Sequence, residues 1–524
     1  MIGKINDDFF TKSILPNTGA ENDKVLVGPQ MGVDAAILKV DEGYMAIAED
    51  PIFPGPTTSP DDFAWLAVNI GASDVAVMGI EPRYMTYSLL MPPGTDEEYI
   101  QKLTASVSRH ARDLGISIVG GHTGFYGAVT VPTIGGITVW GIGEKFITPA
   151  GARKGDSVII TKGAAIEAAG LLACELEQRL MVEGVDPDLI KRAKQRLRQV
   201  TVVPDARIAA QAGGVTAMHD ATEGGVTRGL WEVAKASNIG MRIERSRVRV
   251  PEDIEAVCNC FGLNPFEVIS EGTLVLTCAP EKSCKILEAL NEAGLEASMI
   301  GEIVPLEKGC SWVEKDGKET PILPPPVDRF WEVFENALAL KDDTRSHAQR
   351  TLCQELKDAV SKLQKAGISG LVPEIGANLA VSMPGAKNLE DIAAIPGRML
   401  NFKGKIAVLG DPEMGCSSNM GGSLLGVQKH FPEARCIINL SNNEKIRNAC
   451  AASDLMVVNM PEARNYRQTD ADFYQDLRQT MEACTELPDI IEIPDRINLE
   501  RLILVLGRNL DELIEKITDL AEML

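Results

Sequence analysis

The sequence predicts an α/β (α+β) protein in three segments, on three observations. Short runs rich in β-branched and apolar residues alternate with longer stretches of helical periodicity. Gly, Pro, Asn and Asp bound most of these runs, as turns require. The 524 residues exceed what a single hydrophobic core serves and fit roughly three domains.

In the first segment, residues 1–149, the strand runs are DKVLVG, AAILKV, YMAIAED, SIVGG and TIGGITVWGIGE. Between them, DDFAWLAVNIGASDVAVMG and EEYIQKLTASVSRHARDLG place apolar residues at helical spacing behind acidic starts, which complement a helix's positive end. The second segment, 150–335, opens on a strand in ARKGDSVIITKG, and GTLVLTCAPEKSCKILEALNEAGLEASMIGEIV reads as strand, helix, strand. ETPILPPPVDRFWEV ends it; its proline run breaks regular structure and suits a surface strap. The third segment, 345–524, starts with the helical stretch RSHAQRTLCQELKDAVSKLQKAG and continues through the strands KIAVLG, RCIINL and LMVVNM. Its last stretch, NLERLILVLGRNLDELIEKITDLAEML, has apolar residues at helical spacing and reads as a helix serving the core or a dimer face.

Composition then excludes function classes. A net charge of −22 opposes binding nucleic acid through its phosphates, and it discourages docking on anionic membranes. No apolar run reaches membrane-spanning length and no basic region precedes an apolar leader, so a cytoplasmic location is expected. Eleven scattered cysteines without a CxxC pair, and histidines at 110, 122, 219, 347 and 430, give neither a disulfide framework nor zinc spacing.

Chemistry concentrates in acids. Asp34 lies in GPQMGVDAAIL, Asp50 closes MAIAED, Asp74 lies in NIGASDVAVMG and Asp220 in MHDATEGGVT, each beside a strand or glycine turn. Singly, each suits a turn or cap. Together they offer the hard oxygen ligands that Mg²⁺ uses alongside substrate phosphates. MHDATEGGVT admits two readings: Asp or Thr capping the helix that follows, or Gly-Gly letting backbone amides approach a phosphate. A P-loop, a convincing dinucleotide fingerprint and a nucleophile elbow are all absent from the sequence.

The ordered set GVDAAIL, AEDPIF, LAVNIGASDVAVMGIEPR, IVGGHT, ITKGAAIEAAGLLA and MHDATEGGV resembles the signatures of the AIR synthase-like (PurM) superfamily. That superfamily includes AIR synthase, selenophosphate synthetase, thiamine-monophosphate kinase and HypE. The resemblance covers about residues 1–335 and is nearest to archaeal HypE-like proteins. It implies an N-terminal α/β domain that pairs into a dimeric barrel, a C-terminal α/β domain, and ATP with Mg²⁺ in a cleft. By resemblance, Asp34, Asp50 and Asp74 are metal ligands, and Gly120, Gly121, His122 and Thr123 form a glycine loop. Asp220, Thr222, Glu223, Gly224 and Gly225 face the phosphates. His122 and His219 are candidate acid–base residues. Val33 stands where an acid usually precedes the DAA triplet.

LVPEIGANLAVSMPGAKNLEDIAAIPGRM, GDPEMGCSSNMGG and FPEARCIINL resemble the ThiN type of thiamine-phosphate synthase. This implies a phosphorylated ligand held by Asn378, Lys387 and Arg398, in a block that also keeps Pro384, Asp391 and Gly397, and by the loop Ser417, Ser418 and Asn419. ThiN enzymes carry Arg-His after the first Ser; Ser418 and Asn419 replace them here, so ligand sensing is expected over synthesis. The resulting expectation is an ATP- and Mg²⁺-dependent enzyme, dimeric in the manner of its relatives, acting on a thiamine- or pyrimidine-phosphate. The alternatives are a HypE-like maturation protein and a nucleotide-binding regulator.

Overall fold

Three large mixed or antiparallel β-sheets, each covered by helices, and one two-stranded sheet make up the computed structural model, which describes residues 4, 5, 7–340, 345–462, 470–494 and 500–524. The chain divides into two units, Met1–Thr344 and Arg345–Leu524.

The first unit holds two sheets. Strands β1 (Val25–Val27), β2 (Ala36–Val40), β3 (Gly43–Ile52), β4 (Tyr84–Met91), β5 (Ser117–Phe125) and β6 (Thr133–Gly143) form a six-stranded sheet in the order β1-β2-β3-β6-β4-β5. The helix Pro60–Val77 lies against β3 and β6. Ser59 starts it, its side chain accepting from the Asp62 amide at 3.1 Å, and Pro60 supplies a preset φ at the first helical position. Its residues are buried nearly all round, so it is a core helix, and even Asn69 and Ser73 are enclosed.

The second sheet comprises β7 (Ser157–Thr161), β8 (Val215–Asp220), β9 (Gly240–Glu244), β10 (Leu274–Cys278), β11 (Ala297–Val304), β12 (Cys310–Val313) and β13 (Glu319–Pro321), in the order β13-β12-β9-β11-β7-β10-β8. Every residue of β7 and β10 is buried, as expected for central strands made mostly of apolar residues. Register places the site: Leu274 at the start of β10 pairs with Asp220 at the end of β8, and Val275 pairs with Ile160 near the end of β7. The end of β8, the end of β7 and the turn entering β10 therefore share one edge of the sheet.

The second unit has a seven-stranded sheet whose middle strands are Leu379–Ser382, Cys436–Ser441 and Leu502–Gly507. Its opening helix, His347–Lys365, carries a capping box between Ser346 and Gln349. KIAVLG contributes Lys405–Val408 to a separate two-stranded hairpin. The closing stretch read as one helix is a strand and then a helix. Leu502–Gly507 is wholly buried between two neighbouring strands, and Asn509 caps the helix Leu510–Glu522 through the Glu512 amide. Continuous burial on both faces, which periodicity alone cannot separate from a buried helix, explains the difference. Among the described residues, no helix is long and apolar enough to cross a membrane.

Candidate functional site

Asp220 ends β8 with its side chain fully buried, and neither carboxylate oxygen receives a hydrogen bond from a permanent donor. Asp34, from the turn before β2, and Asp74, from the last turn of the Pro60–Val77 helix, lie close enough to act on it or be acted on by it electrostatically. Asp50 lies inside β3 rather than at its end, and it too has an orphaned buried oxygen. Of the four acids expected beside strands or glycine turns, Asp74 is thus helical and Asp50 is within a strand. The structure nevertheless brings all four into one cluster.

Two acids that the sequence reading passed over complete it. Glu271 occupies the turn entering β10, beside Asp220 by strand register, and Glu167 lies in the first turn of the helix after β7. The Glu271 amide donates to Glu167 Oε2 at 3.2 Å. Their signal was present in SEGTLVL and AAIEAA, each an acid at a strand junction.

Confinement makes these carboxyls hold protons. Burial, then the charges of Asp50, Asp220, Asp34 and Glu271, raises Asp74 well above the ordinary carboxylate range. Burial and Asp34 push Asp220 up to about 7, while His219 works against them. Burial pushes Glu167 to about 7, and burial with Asp220 and Glu167 raises Glu271 well above its usual value. A protonated Glu271 carboxyl beside Asp220 shares its proton with it. Burial also raises Asp50.

His219 is a strut between acids. Its Nδ1 is 2.8 Å from Asp34 Oδ2 and its Nε2 is 2.9 Å from Glu232 Oε2. Burial opposes its charge, but Asp34 and Glu232 outweigh burial and hold the ring as imidazolium. An imidazolium with both nitrogens committed has no lone pair for a metal or for a general base. Asp34, His219 and Asp220 offer ligand atoms within 4.8 Å of one another, but the chemistry leaves the carboxylates as the cation-binding set. Orphaned oxygens on Asp220 and Asp50, in a crowd of acids with few counter-charges, fit a hard divalent cation such as Mg²⁺.

The 220–225 turn differs from a free anion pocket. Gly224 (φ 79°) and Gly225 (φ 60°) start the helix Gly225–Ser237. A Cβ on Gly225 would stand 2.5 Å from the Val268 carbonyl oxygen, so this close approach demands glycine. The Gly224 amide donates to Asp328 Oδ2 at 2.7 Å, and the Thr227 amide donates to the Phe266 carbonyl. The cap of this helix is therefore Asp328, from the proline-rich strap, rather than Asp220 or Thr222. Glu223 bridges two segments: its Oε2 accepts the Lys4 amide at 2.8 Å and its Oε1 accepts Trp331 Nε1 at 3.1 Å. Lys4 Nζ donates to Thr222 Oγ1 at 3.1 Å.

Gly120, Gly121, His122 and Thr123 form part of strand β5 and not a loop. Two strands, β6 and β4, separate β5 from the Asp50-bearing β3. His122 is exposed, with Nε2 2.5 Å from the Tyr126 hydroxyl.

In the second unit, Asn378 is a buried clip. It exchanges hydrogen bonds with Ile395 at 3.0 Å in each direction, and its amide donates to Asn439 Oδ1. Its side chain thus serves the fold with one donor and one acceptor contact, both to Ile395. Lys387 and Arg398 are exposed, Arg398 (φ 72°) donating to the Ile375 carbonyl at 2.6 Å. Ser417 caps the helix Ser418–Gln428, leaving Ser418 and Asn419 exposed in its first turn.

Residues 32–142 match the AIR synthase related protein N-terminal domain, 153–311 its C-terminal domain, and 355–519 thiamine-phosphate synthase ThiN. A protein assigned to hydrogenase expression and formation in Methanocaldococcus jannaschii is 25% identical over 312 residues, 59% of this chain and 90% of that one. Carbamoyl dehydratase HypE of Cupriavidus necator is 28% identical over 295 residues, 54% of this chain and 80% of its own length. A crystal structure of Escherichia coli HypE aligns with a TM-score of 0.48 at 25% identity, over 59% of this chain and 95% of that one. The matched domains and relatives make this chain a HypE-like member of the AIR synthase-related superfamily carrying a ThiN domain.

Proposed function

We propose that the first unit is an ATP- and Mg²⁺-dependent enzyme that transfers phosphate to, or activates with phosphate, an oxygen of a small acceptor. The observation that carries this reading is the meeting of Asp34, Asp50, Asp74 and Asp220, from both sheets of the unit, with buried oxygens left unpartnered. Asp34, Asp50, Asp74 and Asp220 would hold the cation. Bound Mg²⁺ would supply charge neutralisation to the terminal phosphates of ATP. His219 orients Asp34, and the strand register holds Asp220 against Glu271. Catalysis in such a site is chiefly positioning and charge stabilisation.

The ThiN domain favours a thiamine- or pyrimidine-phosphate as acceptor, with the second unit sensing a related ligand. The likeness to carbamoyl dehydratases favours a second acceptor, a carbamoyl group, whose dehydration in water needs its oxygen converted to a better leaving group. Phosphate release from ATP, measured with both acceptor classes, separates the two. Stimulation by one class identifies the acceptor. Nucleotide binding without stimulated release by either would replace the enzyme with a regulator.

A homodimer through the first sheet belongs to the same reading. Strand β5 pairs only with β4 among the described residues, and it exposes Ile118, Val119 and Phe125. An exposed apolar edge strand requires cover. Light scattering on the purified chain would show a monomer if that cover is absent.

A further inference from the structure

Among the described residues, Lys4 brings an ammonium with donors to spare to the acid cluster. His219 spends both nitrogens on Asp34 and Glu232. Arg228 donates to the Pro325 carbonyl and stands 3.7 Å from Glu232. Lys4 reaches the same edge from the N-terminal segment, where its main-chain amide is anchored on Glu223 and its ammonium on Thr222. Thr222 accounts for one of three ammonium donors. The residue is exposed, so the remaining donors are accessible to a ligand. Crowding by neighbouring atoms strips some water from the ammonium and lowers its affinity for a proton, but Glu232, Glu223, Asp34 and Asp74 outweigh that loss and keep it charged, while the side chain still reaches solvent.

We propose that Lys4 binds the terminal phosphate of the nucleotide, an inference that rests on the ATP reading above. Asp34, Asp50, Asp74 and Asp220 would hold a cation whose charge would bring the last phosphates of ATP near the carboxylates. Those carboxylates repel the phosphate oxygens that the metal leaves uncovered. A compact ammonium next to Thr222, two residues along from Asp220, offsets that repulsion with an accessible positive charge. Glu223 fixes the segment from both sides, since it holds Trp331 of the strap while it holds the Lys4 amide. Lys4 thereby distinguishes a nucleoside triphosphate from its diphosphate.

The test uses the full chain with Lys4→Met and Lys4→Arg, titrated calorimetrically with Mg²⁺ and either a non-hydrolysable ATP analogue or ADP. Lys4→Met is expected to weaken the triphosphate analogue about tenfold while leaving ADP within about twofold, and Lys4→Arg to recover most of the loss. Equal losses for both nucleotides, or no loss for either, overturns the role of Lys4 while the ATP reading stands. A wild-type chain that binds neither nucleotide overturns the ATP reading, and this inference with it. Unchanged thermal melting of Lys4→Met, expected for an exposed residue, confirms that the fold is not the cause.

Discussion

His219 Nδ1 lies 2.8 Å from Asp34 Oδ2, and this single contact ties the end of β8 to the turn before β2. The imidazolium is buried and its other nitrogen is bound to Glu232, so its removal strands two carboxylates. His219→Ala is expected to destabilise the chain by about 3–5 kcal/mol in urea unfolding, because the cost is that of uncompensated buried charge. Asp34→Ala combined with His219→Ala should cost less than the sum of the single changes by about 1 kcal/mol or more. Strict additivity would show that the two side chains do not act as a pair.

Asp220 should give changes of opposite sign in stability and binding. Its ionised form is crowded by Asp34 and buried, so the metal-free fold is better without its charge. Asp220→Asn is expected to raise the melting temperature of the metal-free chain at pH 8 and to weaken Mg-ATP binding about tenfold or more. A lower metal-free melting temperature would mean that the carboxylate is already compensated and that the cluster is no cation site.

The same carboxyls set a pH dependence. Asp220 is raised from 3.8 to about 7 and Glu167 from 4.5 to about 7. A raised folded-state pKa means that the folded chain holds protons which the unfolded chain has released. The stability contributed is therefore complete below about pH 4 and is lost as pH rises through about 7. Metal-free melting temperatures should carry a component that falls across this window, and millimolar Mg²⁺ should restore it at pH 8. A melting profile for Asp220→Asn combined with Glu167→Gln that keeps the full slope would assign the effect elsewhere.

Part of this candidate site was legible in the sequence because its aspartates sit in an ordered set of motifs, although Asp50 and Asp74 lie within elements and not at their junctions. Asp34, Asp50, Asp74 and Asp220 were found that way, and the structure gathers them. What escaped notice was fixed by register and by distant chain segments. Glu271 meets Asp220 only because Leu274 pairs with Asp220 across β8 and β10. Lys4 and Asp328 arrive from more than a hundred residues away on either side, where no local pattern marks them. Burial on both faces hid the strand Leu502–Gly507 inside an apparent helix, and the family resemblance implied a loop at Gly120 and Gly121 where β5 continues past an irregularity at Val119. The ThiN resemblance alone implied a ligand role for Asn378. Its partners, Ile395 and Asn439, show that it closes gaps between strands.

Asp328 decides what the start of the Gly225–Ser237 helix can bind. Its Oδ2 accepts from the Gly224 amide at 2.7 Å while its Oδ1 accepts from Phe330 at 2.8 Å, so one carboxylate caps one helix and orders the start of another. Two capping contacts of this kind predict a loss of about 1–2 kcal/mol for Asp328→Ala, or more if both are fully felt. Trp331 should report the change in fluorescence, since its indole is held on Glu223 one residue before Gly224. Inorganic phosphate should not recover the lost stability, because Phe266 occupies the Thr227 amide and Glu223 places negative charge beside the freed donor. If phosphate does stabilise Asp328→Ala and leaves the wild-type chain unaffected, the helix start is an anion site that Asp328 guards. The glycine pair would then serve the nucleotide directly.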